Sequence, residues 1–547
     1  MKPSTTNFNI QRDEPRGSIR PLKNNYFRMQ YSRFYSWTTG LLAAGAAAVV
    51  FAGCQKLTED PKGNITPSSY YKTQSDLDAA VAGMYIQIAR DGAWGFTSKE
   101  TSYFGSDDLT TDPGLNKGDQ REFDRLQGSS TNSSLPAEWN GPWQCIYNAN
   151  FILQNYQKIS TTDTVTRNKS AGEAYFLRGL CYYYLVRTFG PLPIVTAPID
   201  ATTRVPRSAV ADVYKQIISD LSAAKTMLGT AKVQGHPSVY SASAILADVY
   251  LTMAGWPVND ATKYQAAADE ANIVINSNVF NTNIAYDQIF KTRNGPETIF
   301  ALQYSVAGNL PNRRYGSSNV PLDEVAVDGS SGWDDVYPEI NFYKNRPICQ
   351  RSYQTFYDTI KLRNPDKQTF TLVPWNSPAT HAQHPYYKKF RAGLVTNGVG
   401  DGVNEDATHL FTIQPSTNME TVISRYAGVL LDYAEASDMA GGGPTAASYA
   451  AINQVRTRAG LPALTPGLSQ TAFRDSVVFE RAYEFAEEFG VRWFDIVRLQ
   501  LLPQISASRD ASENPIPGGV NYAQKYWAPI PLAEMTLNAA WKQNDGY

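Results

Sequence analysis

Near the C-terminus, the stretch Glu480-Arg481-Ala482-Tyr483-Glu484-Phe485-Ala486-Glu487-Glu488-Phe489-Gly490-Val491-Arg492-Trp493-Phe494-Asp495-Ile496-Val497-Arg498 decides how this chain reads. Up to Glu488 it holds strong helix formers with no Gly or Pro, and Gly490 is placed to stop the helix. Glu480, Glu484 and Glu487 fall at i, i+4 and i+7 and so share one helix face. Arg492 and Arg498 follow, close enough in sequence to pair with them. Such a pattern reads either as a general acid/base cluster or as an ion-paired packing seam between helices, and we take the seam.

The run resembles the C-terminal signature of the SusD/RagB family, outer-membrane nutrient-binding lipoproteins of Bacteroidetes-type bacteria. The family pattern is roughly Glu-Arg, then Glu-Leu, then Glu-Gly-x-Arg-Trp-x-Asp-Leu-x-Arg; here Phe489 lengthens the step between Glu488 and Gly490 by one residue. Arg425-Tyr426-Ala427 with Leu431 and Ala434-Glu435-Ala436, then Ile452-Asn453-x-Val455-Arg456-x-Arg458-Ala459-Gly460-Leu461, are similar to the family's next most regular blocks. So are Glu173-Ala174-x-x-Leu177-Arg178, Tyr182-Tyr183 and Phe189-Gly190-x-x-Pro193 in the N-terminal half, and Trp527-Ala528-Pro529-Ile530-Pro531 near the end. The resemblance runs from Cys54 to Tyr547 and is weakest over 280–420.

The N-terminus reads as a targeting segment. Residues 1–33 carry seven Lys or Arg against Asp13 and Glu14, and Thr38 to Ala52 is uncharged and mostly Ala, Leu and Val. That apolar run is short for a membrane span, which needs about twenty residues, but fits a signal-peptide core. It ends Val50-Phe51-Ala52-Gly53-Cys54, which resembles a lipoprotein cleavage box with Cys54 as the lipidated first residue. We therefore read 1–53 as signal peptide, with Met29 as an alternative start, and 54–67 as a lipidated tether broken by Pro61, Gly63 and Pro67. Several acyl chains anchor firmly where one binds marginally. Beyond Gly53, Lys plus Arg falls from 49 to 42 and Asp plus Glu from 51 to 49, leaving an acidic chain. No basic patch or motif favours nucleic acid.

The rest divides into three parts. Residues 68–290 form an N-terminal helical region. Leu77, Val81, Met84 and Ile88 mark one amphipathic helix, and Trp139, Trp143, Ile146 and Leu153 a second. A third runs Ala171 to Phe189, stopped by Gly190-Pro191; Pro206-Arg207-Ser208 opens a fourth, and Ser241–Ala254 with Ala261–Ile275 makes a further pair. Between the first two, residues 90–135 read as a long irregular loop of the kind that often carries function. Residues 291–423 form a loop-rich lobe for ligand and partner, with one short strand over Glu297–Leu302, and helices resume over 424–547. The fold class is mainly α: helical hairpins with a large loop-rich inserted lobe. That the hairpins are tetratricopeptide-like is what the resemblance implies.

Cys145, Cys181 and Cys349 are too few and too scattered for a disulfide framework or a metal quartet. Cys181 reads as a buried hydrophobe, and a Cys145–Cys349 bridge stays open. His381 and His384 lie three apart in a Pro-flanked loop without further ligands in register, so no metal site is expected. With no EF-hand spacing, calcium is not predicted and no cofactor is named. Walker, GxGxxG and Gly-x-Ser-x-Gly patterns are absent from the sequence. Asp107-Asp108 is the best carboxylate candidate, yet adjacent residues do not supply the separation a glycosidase needs.

A sugar ring lays its apolar face on Trp or Tyr while its hydroxyls bond to Asn, Asp or Arg. Glycan-binding members of the family use a shallow aromatic arc built from the loop after the first helix and from the inserted lobe. Here those regions offer Trp94, Tyr315 and Trp333, with Asp107, Asp108 and Asn116 as polar neighbours. The resemblance implies a non-enzymatic surface lipoprotein of the outer membrane. It would capture an oligosaccharide or polysaccharide and deliver it to a SusC-like TonB-dependent transporter. Peptide capture on the same fold is the alternative; a carbohydrate-cleaving enzyme using Asp107 or Asp108, or a helical adaptor, are the rivals.

Overall fold

The computed structural model describes residues 70–390 and 416–547, apart from Thr162, Arg314 and positions 326–328 and 366–368. The signal segment 1–53, the tether 54–67 and the lipidation position Cys54 lie outside the described residues. The helices of the N-terminal part follow the apolar periodicity closely. Helix α1 (Gln74–Ala89) starts at a Thr73–Asp76 capping box and buries Leu77, Val81, Met84 and Ile88. After it come a short α2 (Gly118–Asp124), then α3 (Leu135–Asn155) and α4 (Thr164–Phe189). Helices α5 (Val210–Met227), α6 (Val239–Ala254) and α7 (Lys263–Asn276) complete the region.

From Ser170 to Phe189, α4 is buried on every side, including Glu173, Arg178 and Arg187, so it is the axis on which α3 and α5 pack. Its buried Arg178 is answered by Asp220 of α5, with both carboxylate oxygens bonded at 2.6 and 2.9 Å. Gly190, at φ +70°, ends the helix where a side chain would collide with the ring of Trp527.

The lobe is an insertion. Strand β1 (Thr298–Leu302) leaves the scaffold, then come helices α8 (Ile340–Lys344) and α9 (Gln350–Thr355). Strand β2 (Phe356–Tyr357) and the hairpin of β3 (Thr359–Arg363) with β4 (Phe370–Pro374) follow, and β5 (Tyr386–Tyr387) pairs with β2. Strand β6 (Thr421–Arg425) returns antiparallel to β1, so the two ends of the lobe are hydrogen-bonded together. Helix α10 (Tyr426–Gly441) then packs directly on α7, continuing the helical stack as though the lobe were absent. Helices α11 (Ala446–Arg458), α12 (Gln470–Glu484), α13 (Val491–Arg498), α14 (Leu502–Ala507) and α15 (Leu532–Leu537) finish the chain. The mainly helical, hairpin-stacked architecture is as the sequence predicts.

Two readings of the signature need correction. The helix stops at Glu484, not at Glu488, because Glu487 and Phe489 take positive φ (66° and 33°) in a tight turn. Gly490, also left-handed, is the residue before α13 instead of the helix stop. Phe489 fills the core, its ring centroid 4.6 Å from Tyr184 and 5.1 Å from Trp94. Cys145, Cys181 and Cys349 are free and buried, so Cys145 and Cys349 are not bridged.

The expected seam is present, with partners the spacing did not supply. Glu484 receives Arg351 of α9 at 2.8 Å, Arg425 at 2.5 Å, and Arg458 at the end of α11. Glu480 receives Arg351 at 2.5 Å and Arg456 at 2.9 Å, while Glu488 binds Arg425 and Lys389. Arg498 goes to Glu435 and Asp495 instead, and Arg492 to Asp107. Burial alone would push the Glu484 carboxyl up; Arg458, Arg425 and Arg351 outweigh it and hold the carboxyl well below the usual carboxylate range.

A depressed folded-state pKa contributes stability that is complete above the unfolded value of about 4.3 and is lost as pH falls through the folded value. Glu484→Gln is therefore expected to cost about 3–5 kcal/mol at pH 7, by stranding three guanidiniums. The gap to the unaltered chain should narrow at pH 3, as read by denaturant unfolding at both pH values. An equal gap at the two would show that the ionised carboxylate is not what holds the seam.

Candidate ligand-binding cleft

The loop between α1 and α3 folds back onto the lobe. Thr110 and Tyr337 exchange backbone hydrogen bonds of 2.8 and 2.9 Å, and the Thr111 hydroxyl donates to the Asp335 carbonyl at 2.8 Å. Lys117 closes the join with a 2.5 Å ion pair to Asp335. Between the two segments lies a cleft of about 550 Å³, walled by Phe96, Asn116 and Gln120 from the loop and by Leu322, Trp333 and His381 from the lobe.

Trp333 stands half-buried in this cleft, and its ring meets Phe96 edge-on at 6.2 Å. Its backbone N–H donates to Ser317 at 2.9 Å, and the adjoining Gly332 leaves no room for a Cβ against the Val320 carbonyl. The backbone around the ring is thus fixed while one side of the ring stays open. Asn116 is exposed on the opposite wall. These two of the six residues named from sequence come together.

The other four are elsewhere. Trp94 and Tyr315 are each only 2% exposed and belong to the core: Trp94 packs on Tyr184 and Phe489, and Tyr315 stacks on Phe390 at 4.5 Å. Asp107 forms a two-pronged bond with Arg492 at 2.5 and 2.6 Å, on the edge of a separate cleft that Phe479 and Tyr483 also line. Asp108 is buried, accepting from the Ser106 hydroxyl at 2.6 Å and from the Glu487 backbone N–H at 2.9 Å. Burial pushes its carboxyl up to about 6, against the Ser106 bond. The adjacent aspartates therefore fasten the loop to the C-terminal signature. Among the lobe's other rings, Tyr304 and Tyr337 are also buried, and Trp375 packs edge-on to Tyr343.

The histidines separate. His384 is buried, stacked on Tyr337 with its Nε2 3.1 Å from Glu513. His381 reaches the cleft, where its Nδ1 lies 3.1 Å from Asp334 Oδ2 and 3.2 Å from Asp112 Oδ2. Asp334 also accepts from the Leu322 N–H at 2.7 Å and the Tyr386 hydroxyl at 2.8 Å; burial raises its pKa, with those bonds acting against it. Sequence reasoning missed Asp112 and Asp334 because nothing in their spacing points to His381; the proximity of Asp334 to Trp333 was the one available sign.

The fold agrees with the comparisons to known proteins. Residues 60–251 match a family described as starch-binding and associating with the outer membrane, and residues 336–547 match the SusD family. The chain belongs to the SusD/RagB family. A SusD-like protein of Formosa agariphila is 28% identical over 91% of this chain and 98% of its own. The crystal structure of a SusD homologue from Bacteroides thetaiotaomicron superposes with a TM-score of 0.74 at 23% identity, covering 88% of this chain and 98% of that one. A laminarin-binding SusD-like protein superposes at 0.66 with 23% identity, over 87% of this chain and all of its own.

Because Asp107 neutralises a buried guanidinium, Asp107→Ala is expected to destabilise the fold by about 3 kcal/mol in urea unfolding. Unchanged stability would remove the fastening role and return Asp107 to the pool of ligand candidates.

Proposed function

We propose that this protein is a surface lipoprotein of the outer membrane that captures a glycan in the Trp333 cleft and passes it to a SusC-like TonB-dependent transporter. It works by reversible binding, without turnover. The observation that carries the reading is Trp333 itself: a large ring half open to solvent, fixed from behind, in a cleft edged with amide and carboxylate groups. A pyranose laid on that ring would bury its C–H face while Asn116 and Gln120 meet its hydroxyls. The family's described starch association and the laminarin-binding relative support a glycan as ligand class. Anchoring would come from lipid on Cys54; among the described residues no helix is long and apolar enough to cross a membrane.

The test is a glycan-array and calorimetry screen of the chain from Gln55 onward, with a peptide mixture in parallel. A saturable polysaccharide signal is expected, weakened about tenfold by Trp333→Ala with thermal stability unchanged. Equal affinity in that variant would remove the cleft assignment, and binding confined to peptides would overturn the glycan reading. Co-purification of the transporter with the lipidated chain tests the delivery step.

A further inference from the structure

We propose that Asp112, Asp334 and His381 form a binding site for a divalent transition metal, of the zinc or manganese type, on the wall of the Trp333 cleft. The three residues come from distant positions, Asp112 from the loop after α1 and the other two from separate turns of the lobe. One ligand atom of each lies within 4.8 Å of the others. Nδ1 of His381 is 3.1 and 3.2 Å from the two carboxylate oxygens. In a tetrahedral site with metal bonds of about 2.0–2.1 Å, neighbouring ligand atoms stand about 3.3 Å apart, so two edges of such a site are already at their working length.

The supporting bonds aim the ligands. Asp334 commits Oδ1 to the Leu322 N–H and the Tyr386 hydroxyl, which leaves Oδ2 to face His381. Asp112 does the same, its Oδ1 taken by the Gly114 N–H and its Oδ2 turned to the imidazole. The His381 backbone N–H is held by Asp323 at 2.8 Å, fixing the turn that carries the ring. Outer bonds of this kind are what orient metal ligands.

Charge points the same way. Asp112 and Asp334 are 5% and 2% exposed, and they share one imidazole nitrogen that carries at most one proton. Of the cations nearby, Lys117 is taken by Asp335 at 2.5 Å, and Arg121 donates to the Asp112 backbone carbonyl at 3.1 Å. A divalent cation would balance both carboxylates at once. The imidazole selects against calcium and magnesium, which take oxygen ligands, and three protein ligands leave a coordination position open. All three residues line the same cleft as Trp333, so a hydroxyl pair or carboxylate of a bound sugar could complete the metal's shell. That last role rests on the glycan reading of the cleft; the metal site does not.

The experiment uses the full chain in detergent, stripped with EDTA and titrated by calorimetry with zinc chloride, manganese chloride and calcium chloride in turn. Expected is saturable one-to-one binding of zinc or manganese, tighter than calcium, weakened at least tenfold by His381→Ala. Asp334→Asn should do the same, but it also alters two structural bonds; His381 is half-exposed, so its variant keeps the test clean, with circular dichroism as a check on the fold. No saturable transition-metal binding, or binding indifferent to His381→Ala, would overturn the site and leave the trio a hydrogen-bonded cluster. Glycan affinity measured with and without the metal tests the second role, which equal affinities would overturn. Glycan binding without metal binding defeats this inference alone; metal binding without glycan binding defeats the proposed function alone.

Discussion

The structure hangs on one buried carboxylate. Glu484 sits at the end of α12 with no exposed surface, and Arg351, Arg425 and Arg458 converge on it from the lobe, the returning strand and α11. Taking these charges out of water costs several kcal/mol each, and their mutual attraction in the interior offsets that only when every hydrogen bond is made. Such a network adds little net stability over a well-packed apolar core. Its effect is directional: three fork-shaped donors accept few geometries, so the contact sets the register of elements that share no sequence neighbourhood. Lys389 extends it, bonding to Glu488 and to the Glu484 and Ala486 carbonyls, and so ties the far end of the lobe to the turn after α12.

That turn is also where the first loop is fastened. The Glu487 N–H is held by Asp108 and Arg492 by Asp107, so the segment bearing Asn116 and the lobe bearing Trp333 are referenced to one piece of backbone. A cleft assembled from irregular segments is precise only if something regular holds both walls. Here the regular element is the helical stack, and the signature turn transmits its geometry. The sandwich of Arg187 between Tyr183 and Phe494, at 3.6 and 3.7 Å, adds a second tie from the central helix α4 to α13.

The helices were legible because burial imposes a period, and Leu77, Val81, Met84 and Ile88 show it plainly. The stop at Glu484 was not, because Glu487 and Phe489 adopt left-handed backbone without the glycine that usually signals it. Their conformation is enforced by Asp108 and by the packing of Phe489, contacts that no local pattern encodes. The same limit governs the site. Both cleft walls were recognisable as irregular segments rich in rings and polar groups, yet composition does not say which rings another segment will cover. Phe489 covers Trp94 and Phe390 covers Tyr315, whereas only Phe96, edge-on, approaches Trp333 among the described rings. The three-residue spacing of His381 and His384 carries no information because it matters on a helix and these residues lie in a turn, where one faces the cleft and the other the core.

The lobe departs at Leu302 and returns at Thr421, and these two residues face each other across one strand pair. Whatever lies between them has its ends already joined, and the entropy of closing a longer or shorter excursion changes only logarithmically with its length. Meanwhile α7 meets α10 without reference to the interior of the lobe. The arrangement works as a socket with two fixed pins: stretches of the excursion between them can lengthen or shorten, provided Arg351 and Lys389 stay in place to pair the frame's Glu480, Glu484 and Glu488.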